Sequence, residues 1–375
     1  MMKALGIILA GGGSSRLGDL SKKRAVAAMP IAGSYRCIDF ALSSMSNSHV
    51  QKVAVFTQYN ARSLNQHLSS SKWWDFGRKQ GGLFLLTPTV TTTNDSWFRG
   101  TADAMCQNID FLRDSHEPYV VISSGDCVYK ADLGKMLQYH IDKNADITIA
   151  YTQIDNTLDN PARFGVLTLD KDNKILSLDE KPAEASGNIV NTGIYIMRRR
   201  FLIELLNRAD KEGRYNLVQD IIVPLIGTRN VYGYELPGYW SNIATVDAYY
   251  RTNMDFLKQD MREYFFGGYN SIYSKETDEP PAKFNEGASV RNSLIASGCI
   301  INGAVENSVL CRKVYLGSNS VVRNSVILGD VYISDNTVVE NCIVESRGTL
   351  RSARQYKGTD GKIRVVVESN ERYLI

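Results

Sequence analysis

Short apolar runs alternate with amphipathic stretches through the first 250 residues of this 375-residue chain. The run Ala4-Leu5-Gly6-Ile7-Ile8-Leu9-Ala10 predicts an opening strand, and 50–57, 118–123 and 145–152 predict others. Residues 102–113 put Met105, Ile109 and Leu112 on one face at helical spacing, and 246–265 predicts a longer helix. Strands alternating with helices predict an α/β, doubly wound, mostly parallel sheet with helices on both faces, and such sheets bind ligands at the carboxyl ends of their strands.

The pattern changes after residue 283. Val290-Arg291-Asn292-Ser293-Leu294, Val305-Glu306-Asn307-Ser308-Val309, Val322-Arg323-Asn324-Ser325-Val326 and Val339-Glu340-Asn341-Cys342-Ile343 repeat one five-residue unit at spacings of 15, 17 and 17 residues. A near-constant period with short strands and Asn/Ser corners predicts a C-terminal parallel β-helix, in which each coil buries against its neighbours what it cannot bury alone. The expected organisation is a domain over 1–250, a helix and polar linker over 251–283 containing Pro280-Pro281, a β-helix over 284–345, and a tail over 346–375. The tail is expected to hold a hairpin around 358–361 and a strand over 363–367.

Composition adds exclusions. The net charge of +3 is too small to argue for nucleic acid, and no apolar run approaches membrane-spanning length. Six cysteines without paired or metal-type spacing fit a reducing cytoplasm. All four histidines precede residue 141, so the repeat region holds no histidine to act as the general base of a β-helix acyltransferase.

The candidate chemistry begins where the first strand breaks into Gly11-Gly12-Gly13-Ser14-Ser15-Arg16-Leu17. A strand, a glycine loop and then a helix present free backbone N–H groups to a phosphate, and Arg16 adds charge at the helix mouth. Downstream stand Trp97-Phe98-Arg99-Gly100-Thr101-Ala102-Asp103-Ala104, Gly125-Asp126-Cys127-Val128-Tyr129, Glu180-Lys181-Pro182 and Asn191-Thr192-Gly193. In this order the segments resemble the sugar-phosphate nucleotidyltransferases, most closely the glucose-1-phosphate adenylyltransferases, over nearly the whole chain. The resemblance implies a left-handed β-helix. It also implies nucleotide contacts from Gly11, Gly12, Gly13, Gln58, Gly100, Thr101 and Asp103, a catalytic Arg16, Mg²⁺ on Asp126 when nucleotide is bound, and sugar-phosphate contacts from Glu180, Lys181 and Asn191.

The chain also departs from the family pattern. The lysine of the family's R-A-K-P is Val26, the second glycine of G-x-G is Ser14, and Y-W-R-D-V-G-T reads Tyr239-Trp240-Ser241-Asn242-Ile243-Ala244-Thr245, so the second metal carboxylate becomes Asn242. Adenylyl transfer depends on charges that neutralise the triphosphate and metal, and loss of one such group costs roughly 10²–10³ in rate. Asp126 is then a vestigial catalytic residue. The resemblance is therefore to the regulatory, GlgD-type subunit, weakly active or inactive, in a heterotetramer with a catalytic glucose-1-phosphate adenylyltransferase subunit. Lys23, Arg36 and Arg354 match basic residues that bind anionic effectors in the family. The alternative is an active adenylyltransferase using Asp126 and Mg²⁺, with ATP and a sugar phosphate as its ligands.

Overall fold

The computed structural model describes residues 3–77, 81–89, 96–359 and 361–369. Its contacts divide into two compact units that interleave along the chain: Met1–Gly12, Phe40–Ala61 and Leu68–Trp240 form the first, and Gly13–Asp39, Arg62–His67 and Ser241–Ile375 the second. The glycine loop itself is divided between them, after Gly12.

The first unit is built on a nine-stranded sheet. Tyr119–Ser124, Ala4–Leu9, Lys52–Phe56 and Gly82–Leu86 lie side by side and parallel, while Ile189–Arg198 runs antiparallel beside Tyr119–Ser124. Leu5 and Ile7 on one side and Ile8 on the other are fully buried, so both faces of the sheet are covered. That is why these strands read as continuous apolar runs rather than alternating ones. The helix expected over 102–113 is two, Thr101–Gln107 and Ile109–Arg113. Asn108 breaks it by leaving helical geometry while its side-chain amide donates to the Ala104 carbonyl at 2.9 Å.

The stretch after the glycine loop is not the expected helix. Ser15–Ser21 is a tight 3₁₀ stretch interrupted at Gly18 (φ 54°, ψ −127°). Ser21 Oγ donates to the Ser14 and Gly18 carbonyls at 2.8 and 3.0 Å, capturing groups that a continuing helix would use. The loop therefore lacks a regular helix N-terminus. The helix expected over 246–265 is likewise two, Val246–Asp255 and Gln259–Phe266.

In the second unit the repeat forms three parallel sheets of five strands each, an arrangement that fits a left-handed parallel β-helix. The five-residue unit explains itself in place. Val305, Val322 and Val339 fill the interior, with Leu310, Ile327 and Val344 from the next side. Asn292, Asn307, Asn324 and Asn341 each take the left-handed turn (φ 42° to 53°) that asparagine tolerates. The serines climb the corner as a ladder: Ser308 N–H donates to Ser293 Oγ, Ser325 N–H to Ser308 Oγ and Cys342 N–H to Ser325 Oγ, each at 3.1 Å.

The stacking runs past residue 345, because Thr349–Leu350, Gln355–Lys357 and Arg364–Val366 each add a strand to the three sheets. The strand expected over 363–367 is thus part of the β-helix ladder. At the expected hairpin, Thr359 and Lys362 form an antiparallel bridge, and residue 360 lies outside the described residues. The alternate residues Val309, Val326 and Ile343 on the third sheet are also fully buried, and there the Val246–Asp255 helix approaches, Tyr250 donating its hydroxyl to the Asn324 carbonyl at 2.8 Å.

Candidate functional site

The first unit gathers its motif residues at one end of the sheet. Register pairs Leu9 with both Phe56 and Ser124, so the loop beginning at Gly11, Gln58 and Asp126 all emerge beside one another. A Cβ on Gly11 would lie 3.4 Å from Gln58 N, an ordinary contact, whereas a Cβ on Gly12 would meet nothing. Gln58 uses both ends of its amide on one residue: Oε1 accepts from Phe98 N–H at 2.6 Å and Nε2 donates to the Phe98 carbonyl at 3.2 Å. Asp126 is half-buried, and one of its oxygens accepts from Ser124 Oγ at 2.5 Å.

Gly100, Thr101 and Asp103, expected at the nucleotide, are engaged with the protein itself. A Cβ on Gly100 would lie 2.3 Å from the Tyr215 carbonyl oxygen, which accepts from Ala102 N–H at 2.8 Å. Thr101 Oγ1 accepts from Leu217 N–H at 2.9 Å. Asp103 is buried and accepts from Arg99 N–H (2.8 Å), the Arg99 guanidinium (2.7 Å) and Gln107 Nε2 (2.8 Å). The Arg99 guanidinium in turn lies 4.0 Å from the centre of the Tyr215 ring. The motif docks the 215–217 segment onto the Thr101–Gln107 helix.

Glu180 and Asn191 meet across Gly165, whose lack of a side chain lets them approach. Asn191 is buried, with Oδ1 accepting from Gly193 N–H at 2.9 Å and Nδ2 donating to Tyr195 Oη at 2.7 Å. Burial, with the nearby Glu180 charge adding to it, pushes the Tyr195 hydroxyl well above its ordinary pKa. Lys181 keeps an exposed ammonium, paired with Glu180 Oε1 at 3.1 Å on a backbone held at φ 51°. Register sets Ile194 opposite Ser123, and a Cβ on Gly193 would touch Ser124 Cβ at 3.0 Å, so this group adjoins the strand that ends at Asp126.

In the second unit the departures from the family pattern have found partners. Ser14 has ordinary extended backbone (φ −125°, ψ 108°), so nothing in its conformation demands glycine, and its hydroxyl donates to the Ala244 carbonyl at 2.6 Å. Asn242 Oδ1 accepts from the Ala244 N–H at 3.1 Å. The two replaced positions thus hold both polar groups of one peptide residue. Ser241 is buried with its hydroxyl 2.7 Å from Thr252 Oγ1. Val26 sits in an unbroken buried run, Ala25 to Met29, and is 4% exposed. Gly13 and Arg16 face solvent.

The anion residues are regrouped. Lys23 and Arg354 are exposed. The charges bearing on Arg36 are instead those of Asp39, Arg24 and Arg312, and burial first, with the two arginines, lowers its pKa to about 10. Arg36 donates through Nη1 to the Ser63 carbonyl at 2.8 Å and through its backbone N–H to Asp39 Oδ2 at 2.8 Å. Asp39 Oδ1 lies 2.6 Å from His67 Nε2, both side chains being buried. Arg24 is paired with the buried Glu345 and also bonds Ser346 Oγ. Arg24 stands at the arginine of the family's R-A-K-P, whereas Arg312 and Glu345 carried no motif in the sequence. Arg24 meets an acid 321 positions away, and only the fold brings them together.

Among the described residues no group of three or more His, Cys, Asp or Glu side chains is arranged to hold a metal ion, and no helix is long and apolar enough to cross a membrane. Residues 5–259 match the Nucleotidyl transferase family, and residues 280–359 match the GlmU-like, C-terminal hexapeptide family. The chain is 39% identical over 319 residues to the glucose-1-phosphate adenylyltransferase of Clostridium beijerinckii, covering 84% of this chain and 82% of the relative. To that of Thermosipho africanus it is 38% identical over 324 residues, 86% of this chain and 78% of the relative.

Proposed function

The chain belongs to the glucose-1-phosphate adenylyltransferase family, and from that premise we propose that it is a regulatory subunit, weakly active or inactive alone, which assembles with a catalytic paralogue in the cytoplasm, as a heterotetramer. The observation that carries this reading is the use made of Ser14, Val26 and Asn242. Ser14 and Asn242 are bonded to Ala244, and Val26 is packed in an apolar run, where the family pattern has a bare turn, a metal carboxylate and a free lysine. No charge is available from these three positions to offset a leaving pyrophosphate or a metal ion.

Asp126 is the carboxylate left for Mg²⁺. Magnesium is commonly held by one or two carboxylates together with substrate phosphates, so Asp126 fits as one protein ligand of an ion brought in by nucleotide. When bound, that ion would neutralise phosphate charge. The first unit's residues can still position ligands: Lys181 offers an exposed cation for a phosphate, and the space at Gly12 is open. Those two features favour the second reading, a working adenylyltransferase that joins ATP to glucose-1-phosphate with Asp126 and Mg²⁺. The regrouped arginines of the second unit support an anion-responsive role.

Replacing Asp126 with Asn separates the two readings. In a regulatory subunit the stimulated rate of the complex with the catalytic paralogue stays within about twofold of wild type. In a working enzyme the turnover of this chain alone falls by roughly 10²–10³, the range for losing one electrostatic group.

A further inference from the structure

Among the described residues the nine-stranded sheet ends in three outer strands, and they are not finished alike. Ile175–Glu180 carries Asp179 and Glu180 and slips register between Ile175 and Ser177. Val231–Glu235 is covered in part, since Lys174 bridges to Tyr232 and the Gly233 N–H donates to the Asn173 carbonyl at 2.7 Å. Charges, broken register and covering chain all stop a sheet edge from pairing onward. Gly82–Leu86 has none of these among the described residues. It reads Gly82-Leu83-Phe84-Leu85-Leu86, uncharged and without proline, its register on Lys52–Phe56 is unbroken, and Phe84 is 38% exposed.

The two ends of this strand fix which way its backbone faces. The Gly82 N–H donates to the Gln51 carbonyl at 2.9 Å, and the Leu86 carbonyl accepts from the Thr57 N–H at 3.0 Å. Successive residues of a strand turn these groups to opposite sides. Gly82, Phe84 and Leu86 therefore face Lys52–Phe56, whereas Leu83 and Leu85 turn two N–H and two C=O groups outward, where no described residue bonds them. The four outward groups lie symmetrically about Phe84. Antiparallel strands exchange both bonds at each hydrogen-bonded pair. A second Gly82–Leu86, rotated about a twofold axis at Phe84, sets Leu83 of each copy against Leu85 of the other and satisfies all four. The two Phe84 side chains then meet on one face as a non-hydrogen-bonded pair, the kind in which side chains come closer. With no charge in the strand, nothing repels the copy.

We propose that Gly82–Leu86 is a self-pairing edge: two copies of this chain join antiparallel through it, centred on Phe84, into one continuous sheet. The pairing uses a strand that the regulatory reading leaves idle, and it stands or falls apart from that reading. A contact of one patch with itself closes at two copies and does not propagate. Because the pair is antiparallel, the carboxyl ends of the parallel strands, where the motif residues emerge, point in opposite directions in the two copies.

The test is a cysteine scan of the full chain under mild oxidation, read on non-reducing gels against wild type, which controls for the chain's own six cysteines. Phe84→Cys should form a disulfide-linked dimer, because a residue on the axis meets itself within disulfide reach. Leu83→Cys and Leu85→Cys, each alone, lie two positions off their own copies and should link at least about tenfold less. A second measurement needs no cysteine variant to fold. In wild type, raising the concentration from about 1 to about 100 µM should slow hydrogen exchange at the Leu83 and Leu85 amides at least about tenfold. Phe84→Glu should abolish that gain, since Lys52, whose ammonium lies 5.6 Å from the Phe84 ring centre, can match the new charge within one copy while two like charges face each other on the axis. Phe84→Cys linking no more than its neighbours overturns the proposal, as does exchange that ignores concentration. Protection that appears only on mixing with the catalytic paralogue also overturns it and gives the edge to that partner.

Discussion

In the first unit the family's residues hold their places by bonding to their own surroundings: Gln58 to Phe98, Asp103 to Arg99 and Gln107, Asn191 to Gly193 and Tyr195. In the second, the positions that depart from the family do the same with different groups, Ser14 and Asn242 on Ala244 and Val26 in an apolar run. The contrast shows why a motif count misleads. Much of the first unit's motif set is present because the sheet and the Thr101–Gln107 helix need it, with or without turnover. The second unit is where chemistry and packing make opposite demands on the same residues, and there packing has been served.

The sharpest way to break this contrast is Gly100→Ala. If the segment is structural, a Cβ at 2.3 Å from the Tyr215 carbonyl oxygen must displace backbone, and the variant should lose about 4 kcal/mol in urea unfolding. A variant that stays as stable as wild type would return Gly100 to a ligand role.

Val26→Lys attacks the other side. It restores the family's charge but buries an ammonium between Ala25 and Met29, and should cost about 3 kcal/mol without giving turnover to the isolated chain. Gain of pyrophosphate release without loss of stability would contradict the account of this position.

Acid should loosen the first unit at one helix and the strand beside it. Burial, with Arg198 nearby, lowers the His140 pKa to about 4, and His140 Nδ1 lies 2.8 Å from Thr148 Oγ1. The folded pKa is below the unfolded value, so its contribution is full above about pH 6.5 and is lost as pH falls toward 4. The loss amounts to about 3 kcal/mol at most, read as faster hydrogen exchange in Leu133–Asp142 and Ile147–Gln153. Unchanged protection in those two elements at pH 4.5 would remove His140 from the account. The smallest effect expected is that of Ser14→Gly, which gives up one hydrogen bond and should cost about 1 kcal/mol.

The sequence made the β-helix legible because its period is written in the residues that turn each corner, asparagine in the left-handed region and serine in the ladder. The parallel sheet was legible from apolar runs buried on both faces. The residues of the glycine loop suit the mouth of a helix, but Gly18 and the Ser21 hydroxyl divert the backbone, which local sequence does not signal. The anion cluster was least legible. Arg24 and Arg36 were readable from one local stretch, but Arg312 comes from a distant one and Glu345, which pairs with Arg24, from near the far end of the chain.

The account's central claim is tested most directly by Mg²⁺-dependent pyrophosphate release from ATP and glucose-1-phosphate, measured on this chain alone and after mixing with the catalytic paralogue. The prediction is a rate alone at least about 10²-fold below that of the paralogue, as expected for loss of a leaving-group cation and a metal carboxylate, together with a raised rate in the mixture. Turnover by the isolated chain at the paralogue's rate would contradict it.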